Sequence, residues 1–382
     1  MESSRAKERL LVASRWLRLV LFLFLFLLSI DLMGVALKML GKDVAERILG
    51  LTSNPVAGLF IGILATSLVQ SSSATTSTVV TMTAAGVLSV RNAIPIVMGA
   101  NIGTTVTNIL VSLVHVTRKD EFNRAFGGAI VHDVFNLLAV AVFLPLEMAT
   151  HFIQHSAEKL TAVLDSAGGL KVASPVKLVV RPISDALKHF LTDVAGLAQR
   201  VGGVLLLVLA AVLLFLSLYL IVKLIRSLVL GTLESFFNKR LFVNAGFFFV
   251  IGLVITAIVQ SSSVTTSLVV PLIGAGVLTV ERVYPYMLGA NIGTTVTGFL
   301  ASLAAVATGG ASTGVTVALS HLFFNICGAG VFYPLRFIPI SLAKAFGERA
   351  ANSKLFALSY LLIVFFMVPF VILLLQKYAL AR

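Results

Sequence analysis

Long apolar segments dominate the chain, and polar residues interrupt them at only a few places. Seven of these segments are long enough to cross the ~30 Å hydrocarbon core of a bilayer as helices. They lie at 16–37, 92–114, 125–147, 201–224, 282–306, 314–336 and 355–376. Two further apolar segments, 54–90 and 244–280, carry the tetrad Gln-Ser-Ser-Ser near their middle. The pattern predicts an all-α polytopic membrane protein with about seven spans.

Each tetrad segment is predicted to fold as two half-helices. Asn54 and Pro55 suit the N-cap and first position of a helix. The stretch from Pro55 to Val69 would be only ~22 Å long at about 1.5 Å per residue, too short to cross. Because lipid cannot satisfy the backbone at a helix break, the break must be buried in protein or line a cavity. We therefore expect two re-entrant hairpins, each turning at its tetrad.

A long polar segment occurs twice, 190 residues apart. Between Gln70–Thr107 and Gln260–Thr297, 24 of 38 positions are identical, and the nine residues from Gly99 to Thr107 return unchanged. A His-x-x-Phe-Asn motif follows in each copy, beginning at His132 and His321. A repeat that served packing alone would preserve the apolar pattern. Retention of Gln, Ser, Asn and Thr indicates a functional site.

Composition agrees with a membrane location. Of the 382 residues, 58% are hydrophobic and 12% are charged, with mean hydropathy +1.03, against ~25% charged in soluble domains. The net charge of +13 lies largely beside apolar segments, where Lys and Arg hold loops in the cytoplasm, so it need not indicate nucleic-acid binding. The basic run before residue 16 predicts a retained anchor with a cytoplasmic N-terminus. The single cysteine, Cys327, excludes an intrachain disulfide and fits a bacterial inner-membrane protein.

The positions of Lys and Arg assign the loops to two sides of the membrane. Basic segments predicted to lie inside are 115–124, 223–242 and 336–354. The 307–313 loop has no Lys or Arg and is predicted outside, as is the long loop 148–200, whose part near 176–198 looks amphipathic. The basic segment 38–53 is an exception, because this topology places it outside.

This topology gives the two repeats opposite orientations. The first unit begins with an outward span and the second with an inward span. Inverted repeats with broken helices are the architecture of many secondary transporters. The predicted units are an anchor and first repeat at 1–147, an extracytoplasmic loop at 148–200, a second repeat at 201–336 and a last span at 337–382. One misassigned span would make the repeats parallel instead.

The tetrads offer groups that suit an oxyanion. A half-helix that begins at a tetrad directs unpaired N–H groups and a positive dipole end at the membrane centre. Six serine hydroxyls and two glutamine amides add neutral donors, and neither hairpin contains Lys or Arg. The alternative is that these hydroxyls only satisfy backbone groups freed at a helix break.

The Asn-Ile-Gly-Thr-Thr-Val-Thr segments look like a second pair of helix breaks. Thr104 and Thr107 share a helical face, as do Thr294 and Thr297. Hydroxyl, amide and carbonyl oxygens suit Na⁺, and discontinuous helices supply such carbonyls in transporters. The alternative is a glycine-mediated helix contact in which Thr bonds back to carbonyls.

Asp133 is a carboxylate in an otherwise apolar span, opposite Leu322 in the other repeat. An intramembrane carboxylate is a functional hypothesis by default, and a bound cation would neutralise it. The alternative is a position near the helix end, close to Arg124. His132 and His321 are expected to form hydrogen bonds, because no second metal ligand has suitable spacing. No nucleotide-binding or hydrolase motif occurs, so we expect neither an enzyme nor an organic cofactor.

Together, the paired tetrads, the doubled Gly-Ala-Asn-Ile-Gly-Thr-Thr-Val-Thr and the His-Asp-x-Phe-Asn motif resemble the type II sodium-dependent phosphate cotransporters, over residues 16–376. The resemblance implies a homodimer in which Asp133 accompanies electrogenic transport. It implies phosphate binding by Gln70, Ser71, Ser72, Ser73, Gln260, Ser261, Ser262 and Ser263. The sodium candidates are Asn101, Thr104, Thr107, Asp133, Asn136, Gln260, Ser261, Asn291, Thr294, Thr297 and Asn325.

The chain departs from this family in three respects. Ala290 stands where some relatives have a serine implicated in sodium binding. The long loop lacks the cysteines and glycosylation sites of animal relatives, and the chain has one predicted span fewer than they do. The expected function is sodium-coupled import of inorganic phosphate by alternating access. A sodium-coupled carrier of sulfate, arsenate or a carboxylate is an alternative, and a channel or an intramembrane enzyme is a further one.

Overall fold

A computed structural model of the chain describes residues 2–168, 175–239 and 244–380, with no strand among them. The first helices are α1 (Glu2–Leu40), α2 (Lys42–Thr52), α3 (Pro55–Val69), α4 (Ser72–Ala84), α5 (Val90–Gly103), α6 (Thr105–Ser112), α7 (Lys119–Thr150), α8 (Phe152–Ser166) and α9 (Pro175–His189). The others are α10 (Gln199–Lys239), α11 (Ala245–Val259), α12 (Ser262–Gly274), α13 (Val280–Ala307), α14 (Thr313–Phe332), α15 (Phe337–Asn352), α16 (Lys354–Leu362) and α17 (Val368–Leu380). Much of the basic charge used to assign loops, before residue 14 and within 225–243, belongs to side chains outside the described part.

Seven helical segments in the described residues are long and apolar enough to cross a membrane. They are Ser14–Leu40, Val90–His115, Lys119–Thr150, Gln199–Leu224, Val280–Ala307, Thr313–Phe332 and Lys354–Tyr378. Each coincides with a predicted span, so the prediction of an all-α polytopic membrane protein is confirmed. The segment treated as a loop at 38–53 is instead largely helical. Its helix α2 meets α3 at a 98° bend, and the pair would count as an eighth span if it were one broken helix.

Both tetrads interrupt a helix, as the sequence predicted. Gln70 ends α3 and Gln260 ends α11, each with a left-handed φ of 56° that reverses the chain. At the other end of the first hairpin, the Asn92 amide of α5 donates to the Leu49 carbonyl at 3.4 Å and to the Thr52 hydroxyl at 3.3 Å. The chain therefore enters α3 and leaves α4 at the same end of the bundle.

Glycines let the first half of each hairpin lie directly against the following helix, α3 on α5 and α11 on α13. A Cβ on Gly62 would lie 1.9 Å from the Ile96 carbonyl oxygen, and one on Gly99 would lie 2.0 Å from the Leu59 carbonyl oxygen. The equivalent distances in the second copy are 2.1 Å for Gly252 and 2.0 Å for Gly289. The glycine-mediated helix contact considered as an alternative is thus present in both copies.

One end of the bundle, called the Lys38 end, collects the end of α1, the end of α4 and the connection between α13 and α14. Lys38, Ala84 and Gly310 line one cavity there. Arg181 of α9 reaches the same cavity and pairs with Asp31 of α1 at 3.4 Å. The first hairpin therefore opens at the Lys38 end.

The opposite end, called the Arg124 end, collects the starts of α7 and α13, the end of α12 and part of α15. Arg124, Gly276 and Lys344 line a cavity of about 300 Å³ there. Ala245 and Glu281 line a neighbouring cavity, which places the start of α11 beside the start of α13. The second hairpin therefore opens at the Arg124 end, and α13 runs from this end to the Lys38 end.

The segment predicted as a long loop, 148–200, contains the helices α8 and α9 and a π-helix at Phe190–Val194 in its described part. Glu147 is buried at the end of α7, and its carboxylate accepts the backbone N–H of Ile153 at 2.7 Å and of Gln154 at 3.2 Å. This bonding caps the start of α8. The Thr316 hydroxyl of α14 donates to that of Thr161 at 3.1 Å, so α8 packs on the second repeat.

The prediction of a second pair of helix breaks was wrong for the second copy. α13 continues from Val280 to Ala307 through its Asn-Ile-Gly segment. In the first copy, α5 and α6 are separated only at Thr104, which keeps helical dihedral angles (φ −60°, ψ −30°). The glycines of these segments provide close helix contacts, which do not require the helix to unwind.

Candidate substrate and ion site

The two tetrads come together in the middle of the bundle. The Ser73 hydroxyl donates to the carbonyl oxygen of Gln260 at 2.8 Å, across 187 residues of sequence. Ser73 lies in the first turn of α4, and Gln260 immediately precedes the N-cap of α12. The N-termini of two half-helices from different repeats therefore meet at one place.

Each tetrad caps its own half-helix in the same way. The Ser71 hydroxyl accepts the Ala74 N–H at 3.2 Å, and the Ser261 hydroxyl accepts the Val264 N–H at 3.4 Å. The two halves of each hairpin are also tied by threonine pairs. These pairs join Thr66 to Thr75 at 3.0 Å and Thr256 to Thr265 at 2.8 Å.

The meeting point offers donors to an anion. Ser72, Ser73, Ser262 and Ser263 are all buried, whereas Gln70 is exposed. N–H groups in the first turn of a helix have no partner within the helix, and the helix dipole favours negative charge there. Two such N-termini with buried hydroxyls form a neutral cradle for a multiply hydrogen-bonded oxyanion.

The predicted threonines lie beside the tetrads. The backbone at Gly103 approaches Thr66 so closely that a Cβ would lie 2.7 Å from the Cβ of Thr66, and Gly293 approaches Thr256 in the same way at 2.8 Å. The next residues, Thr104 and Thr294, donate their hydroxyls to backbone carbonyls one turn earlier, at 3.0 and 2.9 Å. Their oxygen lone pairs remain able to contact a cation.

Thr107 and Thr297 differ from Thr104 and Thr294. Both of their hydroxyls are buried, and neither has a hydrogen-bond partner among the described residues. A buried polar group without a partner costs stability, and here the same orphan hydroxyl occurs in both copies. Such a pair suits contact with a transported ion.

The four predicted asparagines form a closed ring across the two repeats. The Asn101 amide donates to Asn325 at 2.8 Å, and the Asn325 amide donates to the Asn291 carbonyl at 3.2 Å. The Asn291 amide donates to Asn136 at 2.8 Å, and the Asn136 amide donates to the Asn101 carbonyl at 3.3 Å. All four residues are buried. The ring fixes the two halves against each other at the level of the doubled motif.

The two histidines brace this ring through hydrogen bonds. His132 Nε2 lies 2.6 Å from the Asn291 side-chain oxygen, and His321 Nε2 lies 2.8 Å from that of Asn101. Because each asparagine oxygen can only accept, each Nε2 carries the proton. The described residues contain no group of three or more His, Cys, Asp or Glu side chains that could hold a metal ion. The expectation that the histidines form hydrogen bonds is confirmed.

Asp133 lies fully buried on α7. Its Oδ2 accepts the hydroxyl of Tyr360 from the C-terminal span, and its Oδ1 has no partner among the described residues. Arg124 donates instead to the Gly274 carbonyl at 3.0 Å. The alternative that placed Asp133 near the helix end is therefore wrong, because Asp133 lies well inside α7 (Lys119–Thr150) and its side chain is fully buried.

Sequence reasoning missed several contacts that shape the site. The Thr266 hydroxyl of α12 donates to Asn108 of α6 at 2.9 Å, linking the second hairpin to the first repeat. The Tyr286 hydroxyl donates to the Thr265 carbonyl at 2.9 Å. Asn108 and Tyr286 stand opposite Gly298 and Ile96 in the repeat alignment. These positions, where one copy has a polar residue and the other does not, were a usable signal, whereas nothing local marked Tyr360.

The chain is similar to known proteins over most of its length. The family model described as Na+/Pi-cotransporter matches residues 25–170 and 213–367. Sodium-dependent phosphate transport protein 2A of Rattus norvegicus is 37% identical over 91% of this chain, and that of Oryctolagus cuniculus is 36% identical over 96%. Sodium-dependent phosphate transport protein 2B of Homo sapiens is 34% identical over 93%.

The chain spans only part of these relatives. The matched region covers 65% of the rat protein, 69% of the rabbit protein and 64% of the human protein. No solved structure matches the chain. The family resemblance identified from the tetrads and the doubled motif is nevertheless confirmed, and a transporter family agrees with the expectation that the chain is not an enzyme. This chain belongs to the Na+/Pi-cotransporter family.

Proposed function

We propose that this protein carries inorganic phosphate across the membrane together with sodium ions. The observation that carries the proposal is the contact between Ser73 and Gln260, which joins two half-helix N-termini. Phosphate would accept hydrogen bonds there from the predicted tetrad residues of both copies. A site without Lys or Arg binds an anion through many neutral donors, so a co-bound cation would add the missing positive charge.

Sodium is proposed to bind beside the anion and at Asp133. Thr104 and Thr294 offer hydroxyl oxygens beside the glycines that pack on Thr66 and Thr256, and Thr107 and Thr297 offer hydroxyl oxygens without a partner among the described residues. The orphan hydroxyls of Thr107 and Thr297 support an ion there in each repeat. The sodium role predicted for the four asparagines stays a prediction, and their ring would frame the site whether or not they touch the ion.

Alternating access is proposed to operate through an inverted repeat. Two hairpins that open at opposite ends of the bundle support this arrangement. At the Lys38 end, the Ala311 N–H donates to the Ala84 carbonyl at 2.9 Å, and the Thr313 hydroxyl donates to the Thr83 carbonyl at 3.0 Å. At the Arg124 end, Arg124 clamps the end of α12 through Gly274.

We call the contact of Thr313 with Thr83 and the contact of Arg124 with Gly274 the two clamps. They lie at equivalent positions in the two copies but differ in chemistry. Arg124 occupies the position of Thr313 in the other copy. Each residue fixes the end of the other repeat's hairpin, so releasing one clamp would open one end of the bundle. We propose that transport alternates between these two releases.

The decisive experiment is uptake of labelled phosphate by proteoliposomes. Uptake is measured with and without an inward sodium gradient and at two membrane potentials. We expect uptake to require sodium and to increase with an inside-negative potential, because each net positive charge gains about 2.3 kcal/mol per 100 mV. The variant Ser73→Ala tests the site itself, because it removes the hydroxyl that joins the two tetrads and should lower uptake.

Other outcomes would contradict parts of the proposal. Sodium-dependent uptake of sulfate, arsenate or a carboxylate in preference to phosphate would leave the scaffold correct and the substrate wrong. Flux that neither saturates nor depends on sodium would indicate a channel. Location in a bacterial inner membrane, a cytoplasmic N-terminus and a homodimer are further proposals, which protease protection and crosslinking in native membranes would test.

A further inference from the structure

The two carboxylate oxygens of Asp133 have different surroundings. Oδ2 accepts the hydroxyl of Tyr360, while Oδ1 has no partner among the described residues. A buried charge with a single hydrogen bond is costly and calls for a further partner. Oδ1 is therefore the oxygen with room for a further partner, whereas Oδ2 is held by the hydroxyl of Tyr360.

The ring of Tyr360 is fixed by other aromatic side chains. Phe346 meets it edge to face with ring centroids 5.3 Å apart, and Phe365 does so at 6.2 Å. Phe356 lies against it at 6.5 Å in a tilted arrangement. Edge-to-face pairs of this kind hold a ring in one orientation. The hydroxyl of Tyr360 is thus a fixed donor aimed at Asp133.

Tyr360 belongs to a span that otherwise contributes little to the interior. Few residues of Lys354–Tyr378 are buried, yet the hydroxyl of Tyr360 reaches Asp133 on α7. The helix widens into a π-helix at Ile363–Met367, within one turn after Tyr360. Such π-bulges often occur at functional sites. The span lies beyond the second copy of the motifs, so the repeat itself does not supply this donor.

We propose that Tyr360 is a positioning residue for Asp133, through which the C-terminal span sets the affinity of the coupling ion. The hydroxyl fixes the carboxylate so that Oδ1 is presented to sodium. Only one repeat contains this carboxylate, because Leu322 stands at the equivalent position. The inference rests on the proposed sodium coupling and adds a residue outside both repeats to that site.

The test uses sodium binding and does not depend on transport. Purified full-length protein in detergent is unfolded thermally over a range of sodium concentrations, with choline keeping ionic strength constant. Tyr360→Phe keeps the aromatic ring and removes the hydroxyl. We expect the sodium concentration that gives half-maximal stabilisation to rise on the order of ten-fold, the scale of a hydrogen bond lost to a charged group.

A matched control separates positioning from general stability. Tyr284→Phe also removes a buried hydroxyl, one that donates to the Phe332 carbonyl at 3.1 Å. It should lower the unfolding temperature equally at all sodium concentrations, without moving the midpoint. An unchanged or lower sodium midpoint in Tyr360→Phe would overturn the proposal.

The Asp133→Asn background supplies the second arm. If Tyr360 acts through the carboxylate, Tyr360→Phe should cause no further change in the sodium midpoint of Asp133→Asn, and an additional rise would contradict the proposal. If Tyr360→Phe alone fails to accumulate, the double variant should accumulate, because the unpaired buried charge is gone. Failure of the double variant as well would also overturn it. Sodium stabilisation of the wild type without any phosphate uptake would instead contradict the proposed function and leave this inference standing.

Discussion

The glycine contacts allow a prediction whose size follows from the structure. In Gly99→Ala, the new Cβ would lie 2.0 Å from the Leu59 carbonyl oxygen. An ordinary carbon–oxygen contact is about 3.3 Å, so α3 and α5 would have to separate by about 1.3 Å. Both atoms belong to helix backbone or are fixed to it, so no side-chain rotation relieves the contact.

Overpacking of this kind costs about 1–3 kcal/mol and occasionally more. We expect the upper part of that range, because the obstructing atom is a carbonyl oxygen within a packed helix. Alanine offsets about 1 kcal/mol through its better helix propensity. The net loss should be about 2 kcal/mol or more. Gly99 lies two residues before Asn101, so the shift would also disturb the asparagine ring and reduce uptake.

The assay is thermal unfolding in detergent, together with phosphate uptake by the same preparation. Gly289→Ala repeats the contact in the second copy, at 2.0 Å from the Phe249 carbonyl oxygen, and should behave alike. Gly34→Ala and Gly330→Ala are the controls, since no heavy atom lies within 4 Å of either Cβ. These controls should be neutral or slightly more stable. A Gly99→Ala protein with the unfolding temperature and uptake of the wild type would refute the reasoning.

Three further predictions concern charge, gating and the ring. Asp133→Asn should lower the net charge moved per phosphate by about one elementary charge. The dependence of uptake on membrane potential measures this charge. The same charge per phosphate as in the wild type would contradict the role proposed for Asp133. Arg124→Gln and Thr313→Val should each weaken one clamp by about 1 kcal/mol. The rates at which thiol reagents label cysteines introduced near the two ends should therefore change in opposite directions in the two variants. Changes in the same direction would argue against alternation. His132→Ala should destabilise the protein more than His321→Ala, because His132 Nδ1 also lies 3.0 Å from the Thr105 hydroxyl whereas His321 Nδ1 has no partner among the described residues. Equal losses of unfolding temperature would contradict that difference.

Features set by local chemistry were predictable from sequence. The spans followed from the length of apolar runs, and the breaks at Gln70 and Gln260 followed from polar tetrads that leave half-helices such as Pro55–Val69 too short to cross. The helix α2 was not predicted, because Lys42 and Arg47 suggested a solvated loop. The segment instead forms a short helix directly after Lys38 and the end of α1, and Asp43 in its first turn pairs with Arg200 at 2.8 Å.

Features that depend on contacts between distant segments were not predictable in the same way. Asn101 and Asn325 are both predicted sodium ligands, and nothing in their local sequence indicates that the amide of one donates to the other. The glycines flanking Asn101 suggest a helix break in the sequence, whereas in the structure they admit the neighbouring backbone of α3. An amide and a glycine in a membrane helix suit either use, and only the partner across the interface decides between them.

The division between shared and unshared residues indicates how the two repeats divide their work. Residues present in both copies, the tetrads and the asparagine ring, lie at the contact between repeats and have no net charge. A site built from them alone would bind an anion with no fixed counter-charge in either repeat. Asp133 is present in only one copy and is held by Tyr360 from outside both copies. Residues that are neutral and identical in the two copies give both ion sites the same charge. A difference in charge between the two ion sites therefore has to come from residues present in only one copy, such as Asp133. We therefore expect the anion to be bound by both repeats, and the first repeat, together with the last span, to control the electrical coupling.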